Sequence, residues 1–413
     1  MRRAIIREQQ ARGRKAVAVL PVHYPKPLLT AMDILAVELW GPPGPPRGPD
    51  AGRLQAYVCA VARNALAFLA AGHADVVDGV LFPHTCDSIQ GLATLAPDFG
   101  GWGKPCFRYI QPKGEERPSS RAFVRAELES LAAELAVLTG KSLETAALRR
   151  ALELHTEIDR LRAALLDGRA RLAMTDRELY GLLRRGEFLW PEDHLQELKA
   201  ATGRLAAEGS APVQTDLPIM ITGYVPEPMT LFDHLRAAGA YVAADDYAGI
   251  GRRVLRVPVG EDDVVSERSE RSARPEAPPR PRPVSDPFVA LVRQSFEAPP
   301  CSTRSANQDR RLEYLVGLYR RSRCAGLVVH VPKFCEPELF DVPAIRARFA
   351  AEGVPLLYLE GELEADLSAQ AQTRIDAFCE MVAAQRRRGG RAAGGTRGGA
   401  TGGTRSGATG GEA

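Results

Sequence analysis

The stretch that decides the fold is Val80-Leu-Phe-Pro-His-Thr-Cys-Asp-Ser-Ile89. A short apolar run ends at Pro83, His84-Thr85-Cys86 follow at once, and Asp87-Ser88 open a helix pattern. A strand that feeds a helix start is a βα unit, and α/β proteins place their chemistry at the carboxyl ends of such strands. A second stretch repeats the design: Gly326-Leu-Val-Val-His-Val-Pro-Lys-Phe-Cys335, then Glu336-Pro337. Cys86 and Cys335 therefore occupy the same point of two units.

The rest of the chain reads outward from these. Ala16–Val22, Ile34–Trp40, Val80–Pro83 and Cys106–Ile110 are strand patterns separated by helix patterns at Pro27–Asp33, Leu54–Ala71 and Asp87–Leu95. Such alternation predicts a mostly parallel, doubly wound sheet. From Ser119 the composition turns to Ala, Leu, Glu and Arg with apolar spacings of three and four, as in Leu128, Leu131, Leu135 and Leu138. Three or four helices are expected there, broken near Gly140, Gly168 and Pro191. Strand patterns return at Leu217–Thr222, Ala240–Ala244, Gly326–Val331 and Pro355–Gly361, with Asp245–Gly251 as a turn.

This divides the chain into an N-terminal α/β domain (1–118), a helical segment (119–210) and a C-terminal α/β domain (211–260 and 306–386). An Arg/Pro-rich insert with a short helix fills 261–305, and its charged repeats cannot bury enough apolar surface to order themselves. A Gly-rich tail, 387–413, is expected to be disordered. The fold class is α/β: two flavodoxin- or Rossmann-like parallel-sheet domains flank a helical segment. The crevice at their strand ends is the default ligand site.

Length and charge set bounds. At 413 residues the chain exceeds one ordinary core. A net charge of +3 argues against a globally electrostatic nucleic-acid binder. No run approaches ~18 apolar residues and Met1-Arg-Arg-Ala-Ile-Ile-Arg has no signal core, so no membrane association and a cytoplasmic location are expected. The seven cysteines are odd in number and scattered, unlike a secreted disulfide framework. Core thiols, metal ligands or a nucleophile remain.

A thiolate at a strand end faces the N–H groups of the next helix, which stabilise its charge. Cys59 lies in the first half of the Leu54–Ala71 helix pattern, just upstream of the Cys86 strand. Three thiolates on one site are an iron–sulfur arrangement, and a fourth, non-cysteine position would leave one iron open to substrate. Buried core thiols explain the same residues, since free cysteine is among the most buried residue types.

At this point the residues resemble a known family, the 2-hydroxyacyl-CoA dehydratase and benzoyl-CoA reductase subunits. One matching block is Tyr57-Val-Cys-Ala-Val-Ala-Arg-Asn64 with Val77-Asp-Gly-Val-Leu-Phe-Pro-His-Thr-Cys-Asp-Ser-Ile89. Another is Lys333-Phe-Cys-Glu-Pro-Glu-Leu-Phe-Asp-Val-Pro343. Gly353–Glu360 and Gln370–Phe378 look like the family's ending, and the likeness runs over roughly residues 12–386. The family's three cluster cysteines fall on Cys59, Cys86 and Cys335. The resemblance implies one [4Fe-4S] or larger cluster per subunit and a paralogous second subunit or self-pairing. It also implies an acyl-CoA substrate and electrons from a separate ATP-hydrolysing iron–sulfur activator. Radical dehydration of a 2-hydroxyacyl-CoA leads. Reduction of an aromatic acyl-CoA, or a double-cubane-type reductase, is the alternative. A non-catalytic electron-transfer partner is the reading from another class. The chain carries no Gly-x-x-x-x-Gly-Lys-Ser/Thr loop for ATP.

Three residues join the thiols as candidates for catalysis: His84, two positions before Cys86, and His23 and Tyr24, after the first strand. That strand ends in Pro21-Val-His-Tyr-Pro-Lys-Pro27, where the family often continues Tyr-x-Pro-Glu-Glu-like, so the substrate class differs or stays open. His330 reads as a core histidine. Cys106, Cys301, Cys324 and Cys379 read as core or loop thiols.

Overall fold

A computed structural model gives the architecture and describes residues 2–44, 54–98, 100–114, 116–207, 216–256, 286–304 and 307–394. The chain opens with α1 (Arg2–Ala11), β1 (Lys15–Val19), α2 (Lys26–Ala31), β2 (Ile34–Glu38), α3 (Ala60–Ala70), β3 (Gly79–Pro83), α4 (Asp87–Asp98) and β4 (Cys106–Tyr109). Four helices follow: α5 (Pro118–Thr139), α6 (Thr145–Gly168), α7 (Asp176–Arg184) and α8 (Pro191–Ala207). The second half holds β5 (Leu217–Gly223), α9 (Thr230–Ala237), β6 (Ala240–Tyr247), α10 (Pro287–Glu297) and α11 (Gln308–Arg321). It closes with β7 (Gly326–Pro332), α12 (Glu336–Ala351), β8 (Leu356–Gly361) and α13 (Ala369–Gly394).

The strands form two four-stranded sheets, β2-β1-β3-β4 and β6-β5-β7-β8. Every pairing is parallel. β3, β5 and β7 are buried along their whole length, which is why they read as continuous apolar runs rather than alternating ones. In each sheet the chain changes direction of winding between the two central strands, β1/β3 and β5/β7. Ligands of doubly wound sheets bind at such points.

The four middle helices serve both sheets. Val124, Leu128, Leu131 and Leu135 of α5 pack with Val17, Leu81 and Phe107 of the first sheet. Leu161 and Leu165 of α6, with α7 and α8 leucines, pack with Ile219, Ile221 and Val242 of the second. A third cluster crosses between the halves: Trp40, Cys59 and Ile89 share it with Tyr224, Cys301 and Cys335. α5 stops at Gly140 in the left-handed conformation (φ 70°). α7 starts with a reciprocal Thr175/Glu178 capping box.

Four sequence expectations need correction or limits. Cys59 is not inside its helix. It is extended (φ −60°, ψ 152°) and caps α3, which begins at Ala60. Asp245-Asp246-Tyr247 are not a turn but the last residues of β6, in register with Ile221-Thr222-Gly223. Buried partners allow this: Tyr180 Oη donates to Asp245, and Arg311 and Thr222 donate to Asp246. α13 runs on to Gly394, past Arg387, the expected start of the tail. Residues 261–285 of the insert and 395–413 of the tail lie outside the described residues. Among the described residues no helix is long and apolar enough to cross a membrane.

The end of β5 is tightly fitted. A Cβ on Gly223 would stand 1.8 Å from the His330 carbonyl oxygen, a backbone atom that cannot swing away. Gly91, in α4, has nothing within 4 Å of the same position. Gly223→Ala should cost more than ~3 kcal/mol in urea unfolding, while Gly91→Ala should stabilise by about 0.5–1 kcal/mol. Equal midpoints for the two variants would contradict this packing.

Candidate functional site

The loops that leave β3 and β7, together with the start of α3, bring three cysteines to one place. Cys59 caps α3, Cys86 immediately precedes α4 and Cys335 caps α12. All three line one small cavity, with Tyr224 and Thr303 across from them. Three helices thus point their N-termini at it, two from the first sheet and one from the second. Phe334, the residue before Cys335, turns the chain in the left-handed conformation (φ 60°). A non-glycine residue there is uncommon and marks a locally constrained turn.

Burial and helix ends act on the thiols in opposite senses. Cys59 and Cys335 are each 5 % exposed. Burial, then the neighbouring Cys86, pushes the Cys59 thiol up to about 12, against hydrogen bonds from the Ala62 and Val61 amides. Burial, then Cys59, drives Cys335 well above the ordinary range. Cys86 is also raised by burial, and the Ile89 and Ser88 amides oppose that. In the metal-free chain the dry surroundings and mutual repulsion win, so the thiols hold their protons. Cations delivered to the cavity would reverse that balance.

This donor set fits an iron–sulfur cluster. Among the described residues no group of three or more His, Cys, Asp or Glu side chains converges closely enough to hold a single metal ion. Three thiols around a cavity, rather than around a point, suit a cluster that offers a separate iron to each.

Two neighbours escaped the sequence reading. Tyr224 is 4 % exposed, donates its hydroxyl to Pro21 O at 3.1 Å and stands edge-on to Trp40, with ring centroids 5.5 Å apart. Burial, then Cys86, Cys335, Cys59 and Cys301, raises its pKa well above ordinary, and it lines the cavity with Cys59, Cys86 and Cys335. The second is the loop 298–304, which enters the crevice. Cys301 is buried there as a core thiol, in the cluster that holds Cys59 and Cys335, beside His23, Thr303 and Arg252. Its only sequence signal was a polar Cys-Ser-Thr-Arg run after Pro299-Pro300, at the end of the insert.

A buried ion network holds α12, and with it Cys335. Arg252 gives Glu338, in the first turn of α12, a bidentate pair at 2.6 and 3.0 Å. Its Nε donates to Asp246 O, and Ser302 donates to Glu338 Oε1 at 2.5 Å. Glu338 stays below the ordinary carboxylate range: burial would raise it, and Arg252 more than offsets that.

The other candidates fall in different places. His23 and Tyr24 line a second cavity that also carries Lys26, Arg162, Arg253 and Arg304. Tyr24 donates to buried Glu38 at 2.8 Å, and Arg253 holds the same carboxylate through two bonds at 2.9 and 2.6 Å. Burial, then the Arg253 charge, lowers Lys26 to about 8. Burial, followed by Arg304, Arg253 and Arg252, keeps His23 neutral. His84 does not line the thiol cavity. Its Nε2 has no hydrogen-bond partner among the described residues and lies 4.0 Å from Asp87 Oδ1. His330 is a core histidine, bonded through Nδ1 to Tyr247 Oη at 2.8 Å.

Known proteins share this chain's sequence over nearly its full length. It is 20% identical over 386 residues to the (R)-phenyllactyl-CoA dehydratase beta subunit of Clostridium sporogenes, covering 92% of this chain and 94% of the relative. It is 22% identical to the beta subunit of lactoyl-CoA dehydratase of Anaerotignum propionicum, covering 90% and 92%. It is 25% identical to a benzoyl-CoA reductase subunit of Thauera aromatica, covering 84% and 85%. The profile of one family, described as 2-hydroxyglutaryl-CoA dehydratase, D-component, matches residues 21–382. With that match over most of its length, two parallel sheets of the same strand order and three thiols at their shared crevice, the chain belongs to the 2-hydroxyglutaryl-CoA dehydratase D-component family.

Proposed function

We propose that this chain is the iron–sulfur subunit of an acyl-CoA enzyme, with Cys59, Cys86 and Cys335 as the ligands of a [4Fe-4S] or larger cluster. The observation that carries the reading is the convergence of three thiols from two sheets, two buried and Cys86 half-buried, on one cavity at three helix N-termini. A cluster held there supplies single electrons at low potential.

The chain's own residues do the rest. The helix N-termini offset negative charge on the bound thiolates. Tyr224 and Phe334 line the cavity, and buried Tyr224 keeps its own side of it apolar. Three cysteine ligands leave a further position for substrate. The reaction is dehydration of a 2-hydroxyacyl-CoA by single-electron (ketyl) chemistry at the thioester carbonyl, in the cytoplasm. The electron comes from a separate ATP-hydrolysing iron–sulfur activator. The beta-subunit names of two relatives support a partner subunit, a paralogue or a second copy of this chain. A benzoyl-CoA-reductase-type reaction is the second reading, favoured by the 25% identity to a reductase subunit.

Two experiments test this. Reconstituted without oxygen, wild-type protein should bind about four irons or more with matching sulfide. Ala at Cys59, Cys86 or Cys335 should cut that content at least several-fold, and Cys324→Ala should leave it unchanged. Iron-free wild type, or undiminished iron in the triple variant, would sink the cluster. With activator and partner subunit, lactoyl-CoA or phenyllactyl-CoA should lose water with no net consumption of reductant, because dehydration is redox-neutral. Consumption of reductant in proportion to benzoyl-CoA, with no dehydration, would select the second reading.

A further inference from the structure

The thiol cavity and the cation-lined cavity are separate spaces, but one buried string of polar atoms joins them. Thr303 lines the first and His23 lines the second. His23 Nε2 stands 2.8 Å from Thr303 Oγ1 and 3.4 Å from Cys301 Sγ. Cys301 Sγ lies 3.1 Å from Thr303 Oγ1, which closes a three-membered set. Thr303 and Cys301 are 2 % and 1 % exposed. Arg252 Nη1 donates to Cys301 Sγ at 3.4 Å, so the thiol is fixed from the far side by the residue that also clamps α12. His23 adopts the left-handed conformation (φ 62°), unusual for a residue with a Cβ, and this brings its ring to that set. Tyr224, Ser88 and Thr303 bring hydroxyls to the thiol cavity; that of Tyr224 is committed to Pro21 O, whereas that of Thr303 is bonded to a titratable ring.

We propose that His23 and Thr303 form a proton relay between the two cavities, with Cys301 and Arg252 as positioning residues. The proposal rests on the reading of the thiol cavity as the place where the acyl-CoA reacts. A hydroxyl that leaves carbon needs a proton to depart as water, and Thr303 offers one from a hydroxyl that lines the thiol cavity and is bonded to a titratable ring. Thr303 Oγ1 gives its proton to the departing hydroxide and takes one from His23 Nε2. In the same movement Nδ1 takes a proton from the Lys26 ammonium, which lines the second cavity and regains its proton from solvent, so the ring stays neutral and changes tautomer. One proton crosses per transfer, no electron moves, and the chain ends uncharged. The neutral state of His23, set by burial and by three arginines, is the state that can work in this way.

The test uses the reconstituted chain with partner subunit and activator, on whichever of lactoyl-CoA and phenyllactyl-CoA turns over faster. Thr303→Val should lower kcat about 100-fold with KM and iron content unchanged, and Thr303→Ser should restore most of it. His23→Gln should lose as much, and the double variant no more than either alone, as expected of groups acting in one unit. A readout independent of turnover is the ring N–H signal of His23 in the iron-free, [15N]histidine-labelled chain. It should exchange slowly with solvent, shift in Thr303→Val and return in Thr303→Ser. Full kcat in an iron-loaded Thr303→Val variant overturns the relay, as do losses that multiply in the double variant. Iron-free wild type would instead overturn the cluster reading. The relay would then be decided by the ring proton, which overturns it by exchanging freely and ignoring Thr303→Val.

Discussion

The central constraint in this molecule is the gathering of three thiols, two of them buried, around one small cavity. Apolar surroundings oppose a thiolate, and three thiolates together oppose one another. The chain answers with the only fixed positive ends a backbone has, the N-termini of α3, α4 and α12. These are not sufficient alone, since burial still raises Cys59 to about 12. The site is therefore prepared for negative charge but incomplete without cations.

Two helix N-termini come from one sheet and the third from another, so the site exists only while the two halves keep their relation. Contacts across the crevice maintain it. Tyr224 bonds to Pro21 O, and Arg253 is paired with Glu38 through the first sheet's edge strand. Arg63 is paired with Glu362 at 2.8 Å. Behind Cys335, Arg252 links Asp246, Glu338 and Cys301. Breaking one member of a buried charged set leaves the others uncompensated, which costs more than the pair itself contributes. The same arginine therefore ties α12 and the loop 298–304 into one body.

Much of this was legible from residues. Val80–Pro83 and Gly326–Val331 announced buried strands, and the helix starts at Asp87 and Glu336 followed directly. That was enough to place Cys86 and Cys335 on equivalent strand ends of two parallel sheets. What periodicity could not give was the start of α3, because Leu54–Cys59 has helical spacing and only the extended backbone at Cys59 moves it outside the helix. Nor could it extend β6 through Asp245 and Asp246, since two acids read as a turn until Arg311 and Tyr180 are found beside them. Thr303, Cys301 and Tyr224 were missed for a common reason. Each reaches the site by a long-range contact from a loop or strand end, and no local pattern records such a contact.

The central claim is that Cys59, Cys86 and Cys335 act together as ligands. Diffraction from anaerobically grown crystals of the reconstituted protein, recorded at the iron absorption edge, tests it most directly. The account predicts anomalous iron density filling the cavity, with a separate iron within bonding distance of each of the three sulfurs and Tyr224 against the cluster. Iron bound elsewhere, or a cavity with no iron in a sample whose iron content is full, would contradict it.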